Sequence, residues 1–271
     1  MVPMTTARRV VLAVGLPLAL ALIGWASFTA IALADVASYP VHISVPAGGQ
    51  TRLTIDRADA IVRPGASDQI SVNGTLRGSL ARPTFGWRSS AAGLTLHSHC
   101  WSWAGWCSLG YSVTAPAGLP LTVTDGAGDL NASGFGGHVT LSSGGGDITA
   151  SRLSGAVELS SGAGDITASG LDGSVRLSDG SGNIYVTGLA VTDVVGDDGS
   201  GDITLTFTRV PRLVNVTGES GNITLVLPPG PTAYQVDAHA SSGNTSVSVK
   251  TSPSSPYVIT VSDGTGNITI V

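Results

Sequence analysis

The sequence predicts an all-β chain: a β-solenoid-like stack of about eight two-strand repeats, fronted by a smaller β cap module and preceded by one apolar helix. Three observations carry that prediction. A Gly-Asp/Asn-apolar triplet recurs at nearly constant spacing; glycine, at 37 of 271 residues, is too frequent for a helical protein; and residues 10–34 contain no charge. Each glycine inside a helix costs about 1 kcal/mol, so a long helical fold is excluded. Apolar residues make up 42% and charged residues 11%, which excludes a charge-rich disordered tail. The net charge is −5, Lys250 is the only lysine and no basic cluster exists, so a nucleic-acid binder is excluded as well.

The N-terminal element comes first. Arg8 and Arg9 precede an uncharged run of 25 residues, 10–34. As a helix it measures roughly 37 Å, enough to cross a ~30 Å hydrocarbon core with some tilt. Basic residues flank its N-terminal side and Asp35 is the first acidic residue, so residues 1–9 are expected in the cytoplasm and the rest outside. The competing reading is a signal peptide cleaved near Ala34, since Ala32-Leu33-Ala34 has the small-x-small form. Secretory apolar cores run about 7–15 residues, so the length favours a membrane anchor. Under either reading the remainder is exported.

Residues 35–124 read as the β cap module. Apolar alternation appears at Val41-Ile43-Val45, Leu53-Ile55, Ile70-Val72, Leu94-Leu96, Tyr111-Val113 and Leu121-Val123, separated by Pro and Gly. Six Arg against four Asp give it a net of +2, whereas residues 125–271 carry five basic against fourteen acidic residues, a net of −9. Within the module, Cys100 and Cys107 bracket Trp101, Trp103 and Trp106. An isolated cysteine pair in an exported chain predicts a disulfide. The sharper alternative is a metal site in which His97 and His99 join both thiolates. The three Trp are read either as an exposed binding tip or as a local apolar cluster that holds the loop.

The repeat occupies residues 125–271. Its turn positions are Asp129, Asp147, Asp165, Asn183, Asp202, Asn222, Asn244 and Asn267, spaced 18, 18, 18, 19, 20, 22 and 23 residues apart. Other columns keep the register: Phe135, Leu153, Leu171 and Leu189; Val139, Val157 and Val175; Leu141, Leu159 and Leu177. Each unit holds two short alternating runs broken by Gly and Ser, the signature of strands and turns. Equivalent strands stacked ~4.8 Å apart bury Ile148, Ile166, Ile184, Ile203, Ile223 and Ile268 as one ladder, with Val157/Val175 and Leu159/Leu177 facing it. Thr149, Thr167, Thr204 and Thr224 then face solvent, and Glu158 and Arg176 pair across adjacent rungs. The glycine before each Asp or Asn is expected to supply positive φ, and the Asx side chain to bond a nearby backbone amide. The triplet degrades at Gly243-Asn244-Thr245. Because the chain ends at Val271 inside a strand-like run, self-association through that C-terminal edge is expected.

Signatures of catalysis are absent: the sequence contains no GxSxG, HExxH or P-loop, and Glu158 and Glu219 are its only glutamates. The Gly-Asp turns share a period with calcium-binding nonapeptide repeats, but those place one residue between the last Gly and the Asp, whereas Gly146 and Asp147 adjoin. Asn183, Asn222, Asn244 and Asn267 weaken any carboxylate array. No cofactor is therefore expected, Ca²⁺ being the one ion the turns leave open.

The segments SSGGGDITAS (142–151), SSGAGDITASG (160–170) and GTGNITIV (264–271) resemble the bacterial putative-adhesin family of β-strand repeats, a domain of unknown function that includes LiaG-like envelope proteins. The resemblance spans roughly residues 40–271 and implies a cell-envelope protein with a β-repeat ectodomain, often membrane-anchored, without catalytic residues to carry over. The expected function is a structural or adhesin-like binding module for an envelope polymer or protein. The alternative is an enzyme acting on an envelope polysaccharide, which requires two carboxylates at a defined separation.

Overall fold

The computed structural model describes residues 16–34, 36–48, 51–79, 82–91, 93–100 and 107–271. Helix α1 (Leu16–Ala34) leads into β1 (Val36–Pro46), β2 (Thr51–Ile55), β3 (Asp59–Gly65), β4 (Gln69–Ser79), β5 (Thr84–Ser90), β6 (Gly93–His99) and β7 (Cys107–Pro116). Then come β8 (Leu121–Asp125), β9 (Leu130–Ser133), β10 (Val139–Ser143), β11 (Ile148–Ser161), β12 (Ile166–Asp179) and β13 (Ile184–Ser200). The chain closes with β14 (Ile203–Phe207), β15 (Leu213–Ser220), β16 (Ile223–Val226), β17 (Gln235–Ser242), β18 (Thr245–Val247), β19 (Val258–Thr265) and β20 (Ile268–Ile270).

α1 has 19 residues, fewer than the 25-residue span expected from the sequence; the part of that span before Leu16 lies outside the described residues. Among the described residues no helix is long and apolar enough to cross a membrane.

The strands form one stack with two faces, parallel except for the pairings β1–β4, β4–β7 and β5–β6. On face A the hydrogen-bonded order is β1-β4-β7-β3-β9, then the first halves of β11, β12 and β13, then β14-β16-β20-β18. On face B it is β5-β6-β2-β8-β10, the second halves of β11, β12 and β13, then β15-β19-β17. Successive rungs pair in the register of the repeat: Ile148 opposes Ile166, Leu153 opposes Leu171, Val157 opposes Val175 and Leu159 opposes Leu177. The ladder isoleucines 148, 166, 184, 203, 223 and 268 are all buried, as are Val157, Val175, Leu159 and Leu177. A third column, Phe135, Leu153, Leu171, Leu189 and Phe207, fills the corner between the faces. No rung buries enough apolar surface alone, so each depends on the rungs above and below it.

Each of the long strands turns a corner where the chain passes from face A to face B. Gly134, Arg152, Gly170 and Gly188 occupy one column there, with φ of 79°, 51°, 63° and 69°. Glycine enters the left-handed region without a Cβ penalty, and Arg152 is the one non-glycine residue of the column. The glycine preceding Asn has the expected positive φ at Gly221, Gly243 and Gly266, with 129°, 145° and 157°, but at the earlier turns it serves a different need. In the central rungs it lacks positive φ; instead a Cβ on Gly146 would lie 2.1 Å from the carbonyl oxygen of Gly128, and one on Gly164 would lie 2.4 Å from that of Gly146. Here glycine is demanded by the backbone of the next rung.

Two features depart from the sequence expectation. First, the stack runs through residue 125 without a break: β2 and β3 pair with β8 and β9, and β6 and β7 pair with β2 and β3. The change in composition there accompanies the antiparallel hairpins β1-β4-β7 and β5-β6, which close that end of the stack. Second, the last two rungs lie out of chain order. β19 and β20 insert between β15-β16 and β17-β18, and Val271 is hydrogen-bonded to the rung of Leu225 and Leu227. The rung of β19 and β20 is therefore an inner one, and the outermost rung is 235–247. The insert Pro228-Pro229-Gly230-Pro231 carries the chain past the level that β19 and β20 later fill, because proline cannot continue the ladder.

Candidate binding surface

Alternation along each strand turns one set of side chains inward and the other outward, and the zero-offset register aligns the outward set into rows. Face A presents Asn131, Thr149, Thr167, Tyr185, Thr204, Thr224 and Thr269 in one line. Face B presents Arg52, Thr122, Thr140, Glu158, Arg176, Val195, Asn215, Thr260 and Asp237. Beside this second row runs a shallow groove of about 280 Å³, lined in part by His138, Glu158, Ser174, Arg176, Asp193 and Val195. Its charges are paired along the stack. Arg176 Nε lies 4.0 Å from Glu158 Oε1, as the sequence predicts, and Arg212 Nη2 lies 2.9 Å from Asp193 Oδ1. His138 Nε2 is 3.2 Å from the Thr140 hydroxyl. These exposed pairs add little stability; they fix which charge lies where along the groove.

The turn positions form a polar rail along one edge. The backbone N–H of Asp147 donates to Asp129 Oδ1 at 3.0 Å, that of Asp165 to Asp147 Oδ1 at 2.8 Å, and that of Asn183 to Asp165 Oδ1 at 2.7 Å. The pattern continues from Asp202 to Asn183, Asn222 to Asp202, Asn267 to Asn222 and Asn244 to Asn267, and begins at Asp59, which accepts from Asp129 N–H. The nearby amide expected for the Asx side chain is thus that of the adjacent rung. Asp and Asn interchange because either supplies the required Oδ1, and Asn183, Asn222 and Asn267 also donate Nδ2–H to the neighbouring Oδ1 at 3.2, 3.1 and 3.0 Å. Among the described residues no three His, Cys, Asp or Glu side chains are grouped to hold a metal ion.

A second column, which the sequence reading missed, lies inside the same turns. Asp125, Ser143, Ser161, Asp179, Asp198 and Asp263 are all buried. Ser161 Oγ accepts from Gly164 N–H at 2.9 Å and donates to the carbonyl of Gly146 at 3.2 Å; Ser143 does the same with Gly146 and Gly128. Asp125 takes the amides of Gly126 and Gly128. Asp179 and Asp198 each accept one turn amide through Oδ1, while Oδ2 of each is buried without a partner. Burial raises the pKa of Asp125, Asp179 and Asp263. Asp198 is pushed up to about 6, first by burial and then by the carboxylate of Asp179 one rung away. The signal was legible as a small polar residue three positions before each turn glycine: 125, 143, 161 and 179, each 18 apart.

The fourteen acidic residues of the repeat region thus include an exposed rail and a buried column. Elsewhere, Cys100 and Cys107 are joined as a disulfide with their Cα atoms 6.1 Å apart, so neither thiolate is available to a metal and that alternative is overturned. His97 Nδ1 instead meets Asp56 Oδ2 at 2.8 Å. Trp101, Trp103 and Trp106 lie outside the described residues.

The architecture recurs in a solved structure. A putative adhesin from Parabacteroides distasonis superposes with a TM-score of 0.57 at 14% identity, covering 87% of this chain and 97% of that one. A putative adhesin from Bacteroides fragilis gives 0.47 at 15% identity, covering 86% and 97%. No curated protein matches the chain. The family model described as Toastrack DUF4097 matches residues 113–270, from the middle of β7 to the end of β20. The chain belongs to the Toastrack DUF4097 family.

Proposed function

We propose that this protein is an extracytoplasmic binding module of the cell envelope, tethered to the membrane through residues 10–34 and recognising an extended envelope polymer along face B. The observation that carries the reading is the face B row with its groove: paired charges, hydroxyls and Val195 recur in line, one rung apart. A row aligned one rung apart suits a partner that is itself extended, because each successive rung offers it a further contact along the same line. The Cys100–Cys107 disulfide supports an oxidising compartment. The uncharged run and the basic flank at Arg8 and Arg9 support retention at the membrane with the N-terminus inside. The adhesin-type descriptions of the structural relatives accord with a binding role. Recognition of this kind needs no cofactor.

The test is retention of the purified full-length chain on peptidoglycan and on wall glycans, with and without Ca²⁺. Arg176→Glu, which sets a second carboxylate beside Glu158, is expected to lower retention several-fold without unfolding the chain. Equal retention of the two proteins would exclude face B as the contact surface.

A further inference from the structure

At the helix-proximal end the two faces part and leave a mouth. β1 is the last strand of face A and β5 the last of face B, and among the described residues no strand pairs beyond either. Their core-directed side chains line the opening: Tyr39 opposes the buried Leu76, and Trp87 opposes the buried Leu96. Tyr39, Val41 and Phe85 are half-buried, and Trp87 is 50% exposed. The opening holds a pocket of about 450 Å³, lined in part by Tyr39, Val41, Leu76, Arg82, Thr84 and Phe85. Arg82 is its one charged lining residue, with the guanidinium carbon 4.6 Å from the centre of the Tyr39 ring. Stacking occupies the flat face of a guanidinium and leaves the N–H groups in its plane free for an anion. Among the described residues Arg82 has no acidic partner. The pocket also lies close to α1. Only Asp35 separates the helix from β1, and Tyr39 is three residues into that strand, roughly 10 Å along it. Arg77, opposite Ser38, is a second exposed cation at this level.

We propose that this pocket binds the headgroup of an anionic phospholipid from the membrane that α1 enters; the inference rests on the tether proposed above and not on the polymer contact of face B. Arg82 takes the phosphate, and the glycerol and first methylenes lie against Tyr39, Val41 and Phe85. Two observations select this partner. The first is charge. Residues 35–124 carry a net of +2 and residues 125–271 a net of −9, so this end of the stack is the one an anionic surface attracts. The second is continuity. A single residue between α1 and β1 leaves no linker to carry the mouth away from the headgroups. Aromatic side chains at such a level serve as interfacial anchors, and Tyr39 and Trp87 are placed to do so. A bidentate contact from Arg to a phosphate adds direction to the attraction, which a diffuse basic surface lacks.

The test places the full-length chain in vesicles of phosphatidylcholine, alone or mixed with phosphatidylglycerol. Pro40→Cys, at the exposed rim of the pocket, carries a polarity-sensitive fluorophore, and the native cysteines are already paired as Cys100–Cys107. Emission is expected to shift to the blue in the mixed vesicles relative to phosphatidylcholine alone. Arg82→Gln is expected to reduce that shift several-fold, while Arg63→Gln, which removes the same charge from an exposed position on β3, leaves it unchanged. Flotation of the vesicles reads the tether separately. A chain that floats with both vesicles and emits equally in both overturns the pocket and leaves the tether standing; a chain that floats with neither removes both. Equal losses in the Arg63 and Arg82 variants mean diffuse attraction and overturn the proposal. A full shift produced by dissolved glycerol phosphate without lipid overturns it as well. Both substituted arginines are exposed, so an unchanged melting temperature certifies folding.

Discussion

The two ends of the stack meet the same problem and answer it differently. At the helix-proximal end the strands reverse direction: β1-β4-β7 and β5-β6 are antiparallel, and the edge strand β1 contains Pro40 and Pro46. At the far end the strands stay parallel, and the outermost rung is the one whose triplet is degenerate, with Thr245 where the ladder elsewhere has Ile or Leu. An array of rungs needs terminal units that tolerate water on their outer side. Thr245 is exposed and Ile268, one rung in, is buried. By inserting its final strands before the degenerate rung, the chain keeps a complete apolar rung inside and turns the weaker one outward. Loss of consensus in a repeat is thus a sign of a cap rather than of decay.

Interior and terminal rungs should respond unequally to equivalent changes. Ile166→Ala, in the middle of the buried ladder, is expected to cost about 2–5 kcal/mol, whereas Val236→Ala in the outermost rung should cost less than about 1 kcal/mol. Denaturant unfolding of both variants measures the contrast, and equal losses would remove the distinction between core and cap. Next in size, Gly164→Ala forces a Cβ to within 2.4 Å of the Gly146 carbonyl and is expected to cost roughly 1–3 kcal/mol. Gly230→Ala, in the open proline insert, has nothing within 4 Å and should stay within about 0.5 kcal/mol of the parent.

A smaller effect, with a definite pH signature, belongs to the buried column. The Asp198 carboxyl is raised in the folded state to about 6, chiefly by burial and next by Asp179, so folding favours its protonated form. Its contribution is most favourable at low pH, declines as pH rises from about 4, where the unfolded chain ionises, and levels off above about 6. Asp198→Asn is therefore expected to stabilise the protein by about 1–2 kcal/mol at pH 7.5 and by nothing below about pH 4, measured by melting at both pH values. Smallest is the rail. Asp165→Ala deletes the acceptor for the amide and Nδ2 of Asn183 and should cost about 0.5–1.5 kcal/mol. Asn244→Ala, at the open end, loses only its own Nδ2 donation to Asn267 and should cost less than about 0.5 kcal/mol.

Much of this fold was legible because the repeat constrains local chemistry. An 18-residue register with Ile, Val and Leu in fixed columns leaves few arrangements in which all of them are buried together, and those columns coincide with the observed ladders. The Asx rail was half legible. Interchange of Asp and Asn pointed to an amide partner, but a single unit cannot reveal that the amide sits one rung away. The buried Asp/Ser column was visible as spacing and obscured by chemistry, since carboxylates are ordinarily exposed and only the stacked turns make an interior out of positions 125, 179 and 198. Of the candidate binding surface, the Glu158–Arg176 pair was foreseen. The groove was not, because it is formed by side chains from several rungs at once.

Taken alone, the sequence determined the class of fold, the period, the identity of the buried columns and the disulfide, because each follows from local alternation, glycine chemistry or compartment. Tertiary structure alone decided the order of the rungs. Levels 213–226, 235–247 and 258–270 share one pattern, and any of them satisfies the backbone of its neighbour equally well. What separates them is the free energy of leaving an apolar rung against water, a property of the completed stack and of no single segment.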